Sequence, residues 1–243
     1  STQGYSSAAS DVYKRQRNDC YVFIPRVFSY PNLKMGAHRN EDFGNMINGT
    51  TGQVSTTCIL KDVDSRALID FAAVHNSNND FALNGPQNIK ANLRNYWCNG
   101  TPLPPLKSSS TEAEVNENFG EFTSTVTKLL VLQESKGYGE LIRNIKEGNI
   151  EEISPTDEIT KALFNIDMDA EGSNSVRSRQ KTEAEDKEAS NIYKAGSVVV
   201  FKNLKKNKFG IMIIRSVNVD FDAVKATNDA NATITFDLYY QRY

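Results

Sequence analysis

Two apolar runs near the C-terminus constrain the fold of this 243-residue chain more than any other part of its sequence. Residues 197–202 and 209–214 are rich in β-branched and aromatic side chains, and a short lysine-rich segment separates them. This composition predicts two strands joined as a β-hairpin. Because both runs are almost continuously apolar, we expect both faces of these strands to be covered, which places the hairpin at the centre of the core.

The last apolar run, residues 232–240, predicts a third strand because apolar and polar side chains alternate along it. Four apolar side chains share one parity: Ile234, Phe236, Leu238 and Tyr240. The positions between them hold mainly threonine and aspartate. A period of two residues is typical of a strand with one buried face.

Weaker patterns predict the other helices and strands. Strands are predicted over residues 20–30 and 69–74. Residues 122–132 fit either a strand or a helix, and we favour the strand. Helices are predicted over residues 62–68, 87–96, 140–147 and 155–165. Pro25 places the first of these strands at a sheet edge or breaks it in two. Asp62 or Asp64 caps the first of these helices, and Ser154 caps the last.

Four segments are expected to form turns and loops. Residues 36–54 contain Asn-Gly and Thr-Gly steps that punctuate short strands or loops. Residues 75–80 form a polar loop, and residues 101–110 hold three prolines and three consecutive serines, as a loop or linker does. Residues 169–190 are nearly without large apolar side chains and predict a mobile polar insertion.

The N-terminal residues 1–16 are expected to be disordered, because this Ser- and Ala-rich segment has little to bury. The stretch SSAASDVYKRQ also resembles the translated adapter sequence found at the ends of open reading frames assembled from metagenomic DNA. We therefore expect residues 1–16 to be artefactual and the protein to begin at about Arg17, as a fragment that has lost any signal peptide, lipoprotein cysteine or upstream domain.

These elements together predict a single α+β domain over residues 17–243. Its predicted architecture is a mainly antiparallel sheet with the C-terminal β-hairpin and the final strand, covered by two or three helices.

Charge argues against nucleic acid as a partner, and hydropathy argues against a membrane-spanning helix. The chain has 28 basic and 30 acidic residues, a formal net charge of -2. A general nucleic-acid binder needs a surplus of lysine and arginine, so we expect no nucleic acid as a partner. No apolar run approaches the roughly 18 residues that a transmembrane helix requires.

The chain has three cysteines, Cys20, Cys58 and Cys98. No two of them form a Cys-x-x-Cys pair. An odd number at wide spacing indicates neither a zinc site nor a disulfide framework. Buried free thiols are the simplest interpretation, and one bridge plus one free thiol stays open as the alternative. The redox compartment is undecided on this pattern.

No motif assigns a catalytic, cofactor-binding or metal-binding residue. The two histidines, His38 and His75, lack a second ligand at helical or turn spacing, and we interpret His75 as a loop histidine without a special role. Residues 167–172 resemble the start of a calcium loop with Gly172 at its sixth position. Ser178 occupies the twelfth position, where calcium needs a bidentate carboxylate, so a solvated acidic loop is the preferred interpretation.

Three further features have simple structural interpretations. Gly137 and Gly139 indicate a flexible entry into a helix. Four lysines at the hairpin turn indicate a solvated tip and not a nucleic-acid site: Lys202, Lys205, Lys206 and Lys208. Four aromatic residues are candidates for a sugar-stacking platform, although such residues are more often core and rim residues: Trp97, Tyr239, Tyr240 and Tyr243.

The C-terminal block SVVVFKNLKKNKFGIMIIRSV resembles the closing hairpin of lipoproteins of unknown function from Bacteroidota. In those proteins an apolar strand ending in Phe-Lys is followed by a polar turn, a Lys-aromatic-Gly step and a second apolar strand. Gly36-Ala37, Asn40 and the Ile69-Asp70-Phe71 strand are similar to the earlier part of the same group. The resemblance implies an exported, lipid-anchored, periplasmic or cell-surface protein with an upstream immunoglobulin-like domain and no established activity. The polar insertion and the absence of an anchoring N-terminus depart from the group.

Three functional hypotheses follow. The first is a non-enzymatic cell-envelope module that binds a glycan or another envelope protein through exposed aromatics on a rigid sheet. The alternative is a hydrolase whose carboxylates come together only in the fold, roughly 5 to 10 Å apart for a glycosidase. The third is a purely structural role, which predicts neither feature.

Overall fold

The computed structural model describes residues 27–40, 42–75, 81–148, 150, 158–178, 191–219 and 231–242. Its strands are β1 (Val27–Gly36), β2 (Met46–Asn48), β3 (Gln53–Ser55), β4 (Phe71–His75), β5 (Phe81–Asn84), β6 (Trp97–Cys98), β7 (Thr101–Pro102), β8 (Thr127–Val131), β9 (Ser175–Ser178), β10 (Val198–Asn203), β11 (Lys208–Asn218) and β12 (Thr233–Gln241). Its α-helices are α1 (Val63–Arg66), α2 (Glu112–Thr123), α3 (Gly139–Glu147), α4 (Glu158–Phe164) and α5 (Met168–Glu171). Short 3-10 helices cover Thr57–Lys61, Pro86–Ile89, Leu93–Asn95 and Glu134–Lys136.

The strands form two five-stranded antiparallel sheets. The first sheet has the order β1-β12-β11-β10-β8, and the second has the order β3-β2-β4-β5-β9. Strands β6 and β7 form a separate two-stranded ribbon. The predicted C-terminal hairpin is confirmed, since β10 and β11 pair with Val198 opposite Ile213 and Asn203 opposite Lys208.

The two sheets pack face to face around one apolar core. Phe71 and Leu83 of the second sheet and Phe201 and Phe236 of the first are all fully buried in it. The rings of Phe71 and Phe201 meet edge to face, with their centroids 5.1 Å apart. This geometry is favoured between aromatic rings, and it joins the inner faces of the two sheets.

Helices cover the outer faces of both sheets. Leu141 and Ile145 of α3 and Leu163 of α4 pack with Val200 and Ile211 on the outer face of the first sheet. The outer face of the second sheet packs against α2 and the 3-10 helices Thr57–Lys61, Pro86–Ile89 and Leu93–Asn95. The α+β class and the mainly antiparallel arrangement are therefore confirmed, and the order of layers is helix, sheet, sheet, helix. In the part of the chain that the structure describes, no helix is long and apolar enough to cross a membrane.

The final strand β12 has the predicted parity. Ile234, Phe236, Leu238 and Tyr240 are at most 1% exposed and face the core between the sheets. The opposite parity is less exposed than a half-buried strand predicts, because Asp237 is also buried.

Strand β1 lies at an edge of the first sheet and runs over Val27–Gly36, so it overlaps only the end of the strand predicted over residues 20–30. Pro25 lies outside the described residues. Pro31 and Asn32 instead interrupt the ladder, and the register with β12 shifts between Tyr30 and Leu33. An edge strand accepts a proline because one of its sides needs no backbone donor.

The strand predicted over residues 122–132 is wrong in its first part. Residues 122 and 123 end helix α2, and the strand begins only at Thr127. The β-branched threonines of this segment favour a strand, but Val115, Phe119 and Phe122 are buried at helical spacing. The helix predicted over residues 87–96 is replaced by the two 3-10 helices Pro86–Ile89 and Leu93–Asn95.

Several local predictions are confirmed. Asp62 caps α1 by accepting a hydrogen bond from the backbone N–H of Ser65 at 3.0 Å. Helix α3 lies where the sequence places it, and α4 lies within the predicted range, although Ser154 and residues 151–157 are outside the described part.

The expected insertion over residues 169–190 is wrong in its first part, because β9 pairs with β5 and buries Val176. Residues 179–190, 76–80 and 1–16 lie outside the described residues.

A disulfide joins Cys58, on the 3-10 helix Thr57–Lys61, to Cys98 on β6. Their Cα atoms are 4.9 Å apart and 40 positions separate them in the sequence. The interpretation of these two cysteines as free thiols is therefore wrong, and the alternative of one bridge holds for this pair. Cys20 lies outside the described residues.

Candidate functional site

The aromatic residues proposed as a sugar-stacking platform lie in different layers of the fold. Tyr240 is 1% exposed between the sheets, whereas Tyr239 packs against the outer-face cluster of the first sheet. Trp97 lies on β6, and the guanidinium of Arg39 covers its ring at 4.4 Å from the centroid. Tyr243 lies outside the described residues. Trp97, Tyr239 and Tyr240 therefore form no shared surface. The alternative of a platform is wrong for these three residues, and the preferred interpretation as core and rim residues holds.

The lysines of the β10–β11 turn also differ from the prediction. Lys205 is exposed, but Lys206 folds back, and its Nζ lies 3.0 Å from Oδ1 of Asp70. Asp70 is fully buried directly before β4, in the second sheet. The turn is therefore not a free solvated tip, because one of its cations is paired with a buried carboxylate.

Four donors bind the Asp70 carboxylate. Oδ1 accepts hydrogen bonds from Asn203 Nδ2 at 2.8 Å, from Lys206 Nζ at 3.0 Å and from the Tyr240 hydroxyl at 3.1 Å. Oδ2 accepts from the backbone N–H of Gly49 at 2.7 Å. We call these five residues the Asp70 network. It connects the second sheet to two strands of the first, so it fixes how the sheets pack.

Burial and charge act on the Tyr240 hydroxyl within this network. Burial raises the pKa of Tyr240 above its ordinary value, and the negative charge of Asp70 and its hydrogen bond raise it further. Tyr240 therefore remains a hydrogen-bond donor at neutral pH. Gly49 leaves room for it, since a Cβ there would lie 2.4 Å from Cδ2 of Tyr240.

The two histidines are both buried in the fold. His75 ends β4 and is fully buried, so the interpretation as a loop histidine is wrong. His38 is 4% exposed, and its ring lies 4.9 Å from that of Tyr96. Burial lowers the pKa of His38 to about 3, and the charges of Arg39 and His75 contribute in the same direction. His38 is therefore a neutral core residue at physiological pH.

An open cleft of about 520 Å³ lies beside the first turns of α2. Eight residues line it: Pro105, Leu106, Lys107, Ser109, Ser110, Glu114, Glu117 and Asn118. Six of these carry a hydroxyl, amide, ammonium or carboxylate group. The cleft can therefore offer both donors and acceptors to a polar ligand.

Local hydrogen bonds hold both walls of the cleft. Lys107 and Ser110 form a tight turn, in which the Ser110 hydroxyl accepts from the Lys107 backbone N–H at 2.9 Å. Arg94 donates to the carbonyl oxygen of Ser110 at 2.7 Å. On the helix, Thr111 and Glu114 form a capping box. These bonds from Thr111, followed by the charge of Lys107, lower the pKa of Glu114, which keeps its carboxylate ionised.

Sequence reasoning missed this cleft because it assigned residues 101–110 to a loop and did not predict α2. A signal for the helix was present in the Thr-x-x-Glu spacing of Thr111 and Glu114, which is typical of a capping box. Nothing local in the sequence indicates that the preceding loop folds against that helix.

The remaining motifs have structural roles. Asp167 accepts hydrogen bonds from the backbone of Asp169 and Ala170 and so caps α5, which replaces the expected acidic loop with a short helix. Gly137 adopts a left-handed conformation just before α3, as a helix entry can. Across the described ranges, no group of three or more His, Cys, Asp or Glu side chains is arranged to hold a metal ion.

No protein family matches the chain, and a search of curated proteins finds no significant match. Among solved structures, the chain is similar to a DUF4466 family protein from Parabacteroides merdae, with 12% sequence identity and a TM-score of 0.47. The alignment covers 90% of this chain and 55% of that one, so this chain spans about half of the length of its structural neighbour.

Proposed function

We propose that this protein is an exported, non-enzymatic module of the cell envelope that binds a glycan in the cleft beside α2. The disulfide between Cys58 and Cys98 supports the export, because disulfides persist in oxidising compartments such as the periplasm and the cell surface. A lipid anchor upstream of this chain is part of the same proposal and follows from the resemblance to Bacteroidota lipoproteins.

The chemistry of the cleft lining supports a glycan as the ligand. Glu117 and Asn118 present a carboxylate and an amide, and Lys107 and Ser109 add an ammonium and a hydroxyl. These groups match the many hydroxyls of a sugar, which both donate and accept hydrogen bonds. An envelope protein is the less favoured ligand, because the centre of a protein interface is rich in aromatic side chains and none of the eight lining residues is aromatic.

The same cleft gives little support to hydrolysis. Glu114 and Glu117 lie three residues apart on one helix, so their Cβ atoms are about 5–6 Å apart on the same wall. A glycosidase needs its two carboxyl groups to flank the scissile bond, and one of them must be protonated. Glu114 has a lowered pKa and stays ionised. Binding without turnover is therefore the preferred function.

A glycan array probed with the full chain tests this proposal. Any glycan that binds should then be incubated with the protein and examined for products. We expect binding without products, and we expect Glu117→Gln to weaken it by about tenfold, the value of one charged hydrogen bond. Glu112→Gln is the matched control, because Glu112 is exposed on the same helix but does not line the cleft.

Three results would overturn the proposal. A silent array would favour a structural or protein-binding role. Binding that survives Glu117→Gln unchanged would place the glycan elsewhere on the molecule. Products from a bound glycan would identify a hydrolase.

A further inference from the structure

The Asp70 network places an amine against a buried carboxyl group. Lys206 Nζ lies 3.0 Å from Oδ1 of Asp70. The Asp70 side chain is fully buried and that of Lys206 is only 18% exposed. The atom that the amine would attack is Cγ, which is bonded to this oxygen. Holding the amine and the carboxyl group in contact, in one orientation, removes much of the entropic cost of a reaction between them.

The neighbouring groups occupy the positions that an amide-forming reaction needs. The carbonyl oxygen of Leu68 accepts a hydrogen bond from Lys206 Nζ at 2.6 Å, which fixes the orientation of the amine. The backbone N–H of Gly49 points at Oδ2 of Asp70 from 2.7 Å, where negative charge would develop during attack. The Tyr240 hydroxyl lies 3.1 Å from Oδ1, the oxygen that leaves. It can stabilise this oxygen by a hydrogen bond and can relay a proton to it.

We propose that Lys206 and Asp70 form an intramolecular isopeptide bond. Nζ first passes one proton to Oδ1, which gives an amine and a carboxylic acid. The Nζ lone pair then bonds to Cγ, and the Cγ–Oδ1 bond breaks. Oδ1 leaves as water with that proton and a second one from Nζ, while the third stays on the amide nitrogen. The reaction is a condensation and consumes no oxidant, reductant or other co-reactant.

Burial favours this product over the ion pair. Two charges removed from water carry a desolvation cost that their attraction only partly offsets. The amide is neutral, and its oxygen keeps the hydrogen bond from Gly49. Because Asp70, Asn203 and Tyr240 are each at most 1% exposed, bulk water has little access to reverse the reaction.

The bond would join residues 136 positions apart. It would tie the start of β4, in the second sheet, to the turn between β10 and β11, in the first. The two sheets would then be held together covalently as well as by their shared core. This inference does not depend on the proposed glycan binding.

Intact mass spectrometry of the full chain, after reduction of the disulfide, tests the proposal. We expect a mass below that of the sequence by one water molecule. A tryptic digest should contain residues 67–90 joined to residues 206–208, because trypsin does not cleave after a modified Lys206. Lys206→Arg keeps the positive charge and should restore the full mass and remove the joined peptide. Lys205→Arg, at the exposed neighbouring lysine, is the matched control and should keep both signatures.

Two results would overturn the proposal. A wild-type chain with its full sequence mass would show that the pair remains an ion pair. A wild-type chain that has lost one water molecule but yields no joined peptide would place the dehydration at another residue. The same conclusion would follow if the Lys206→Arg variant also lost one water molecule.

Discussion

Acidification should destabilise this protein through His38, whose imidazole is buried in its neutral form. The ring is 4% exposed and contacts that of Tyr96. Its pKa falls from 6.5 to about 3 on folding, mainly because burial disfavours the charged form. The nearby Arg39 and His75 disfavour a further positive charge.

The sign and the size of the effect follow from linkage. Between the two pKa values the unfolded chain binds a proton at His38 that the folded chain does not bind, so stability falls as the pH falls. His38 contributes its full stability above the unfolded pKa. Between about pH 7.5 and about pH 5, the free energy of unfolding should decrease by about 2 kcal/mol. Carboxylates with lowered pKa values, such as Asp237 and Glu114, also contribute to the free energy of unfolding. Their contribution is lost only at a lower pH, outside this range.

Urea unfolding at a series of pH values measures this dependence. His38→Gln cannot titrate, so the variant should lose most of the slope, whatever its stability at neutral pH. The readout is the difference in slope between the two proteins, in which contributions from other groups cancel. A variant with the same slope as the wild type would refute the reasoning.

Three further predictions concern stability. Reducing the disulfide between Cys58 and Cys98, which closes a loop with a sequence separation of 40, should lower the free energy of unfolding by about 4 kcal/mol, measured by urea unfolding with and without reductant. Thr111→Ala should cost about 1 kcal/mol in the same assay, because it removes the side-chain cap of α2; an unchanged midpoint would contradict this role. Gly210→Ala should cost about 1–3 kcal/mol, because its Cβ would lie 2.1 Å from Cζ of Phe201; thermal unfolding checks this, and a stability equal to that of the wild type would show that the ring moves freely.

Local patterns in the sequence were sufficient for the elements that the fold buries most deeply. The hairpin of β10 and β11 could be predicted because its two strands are adjacent, apolar and separated by a short polar turn. The parity of β12 follows from strict alternation, since a shift of one residue would move Phe236 and Leu238 out of the core between the sheets.

The arrangement of the second sheet could not be predicted in the same way. Strand β9 pairs with β5 across almost a hundred residues, and four residues in a polar context carry too weak a pattern to identify it. The cleft beside α2 was missed for a related reason, because it needs a loop and a helix whose contact no local pattern encodes.

The Asp70 network shows why chemistry was harder to predict than structure. Asp70 lies next to a hydrophobic strand, and Lys206 lies in a turn where lysines are usually solvated. Only the packing of the two sheets brings them within 3.0 Å of each other. A partner 136 positions away leaves no signal in the spacing of either residue.

The layered architecture also determines where this protein can change. Its central strands contact a second sheet on one side and helices on the other, so a substitution there disturbs two interfaces at once. The turn before α2 and the outer surface of that helix contact the core on one side only. The polar side chains that line the cleft can therefore be exchanged while the sheets beneath it stay the same.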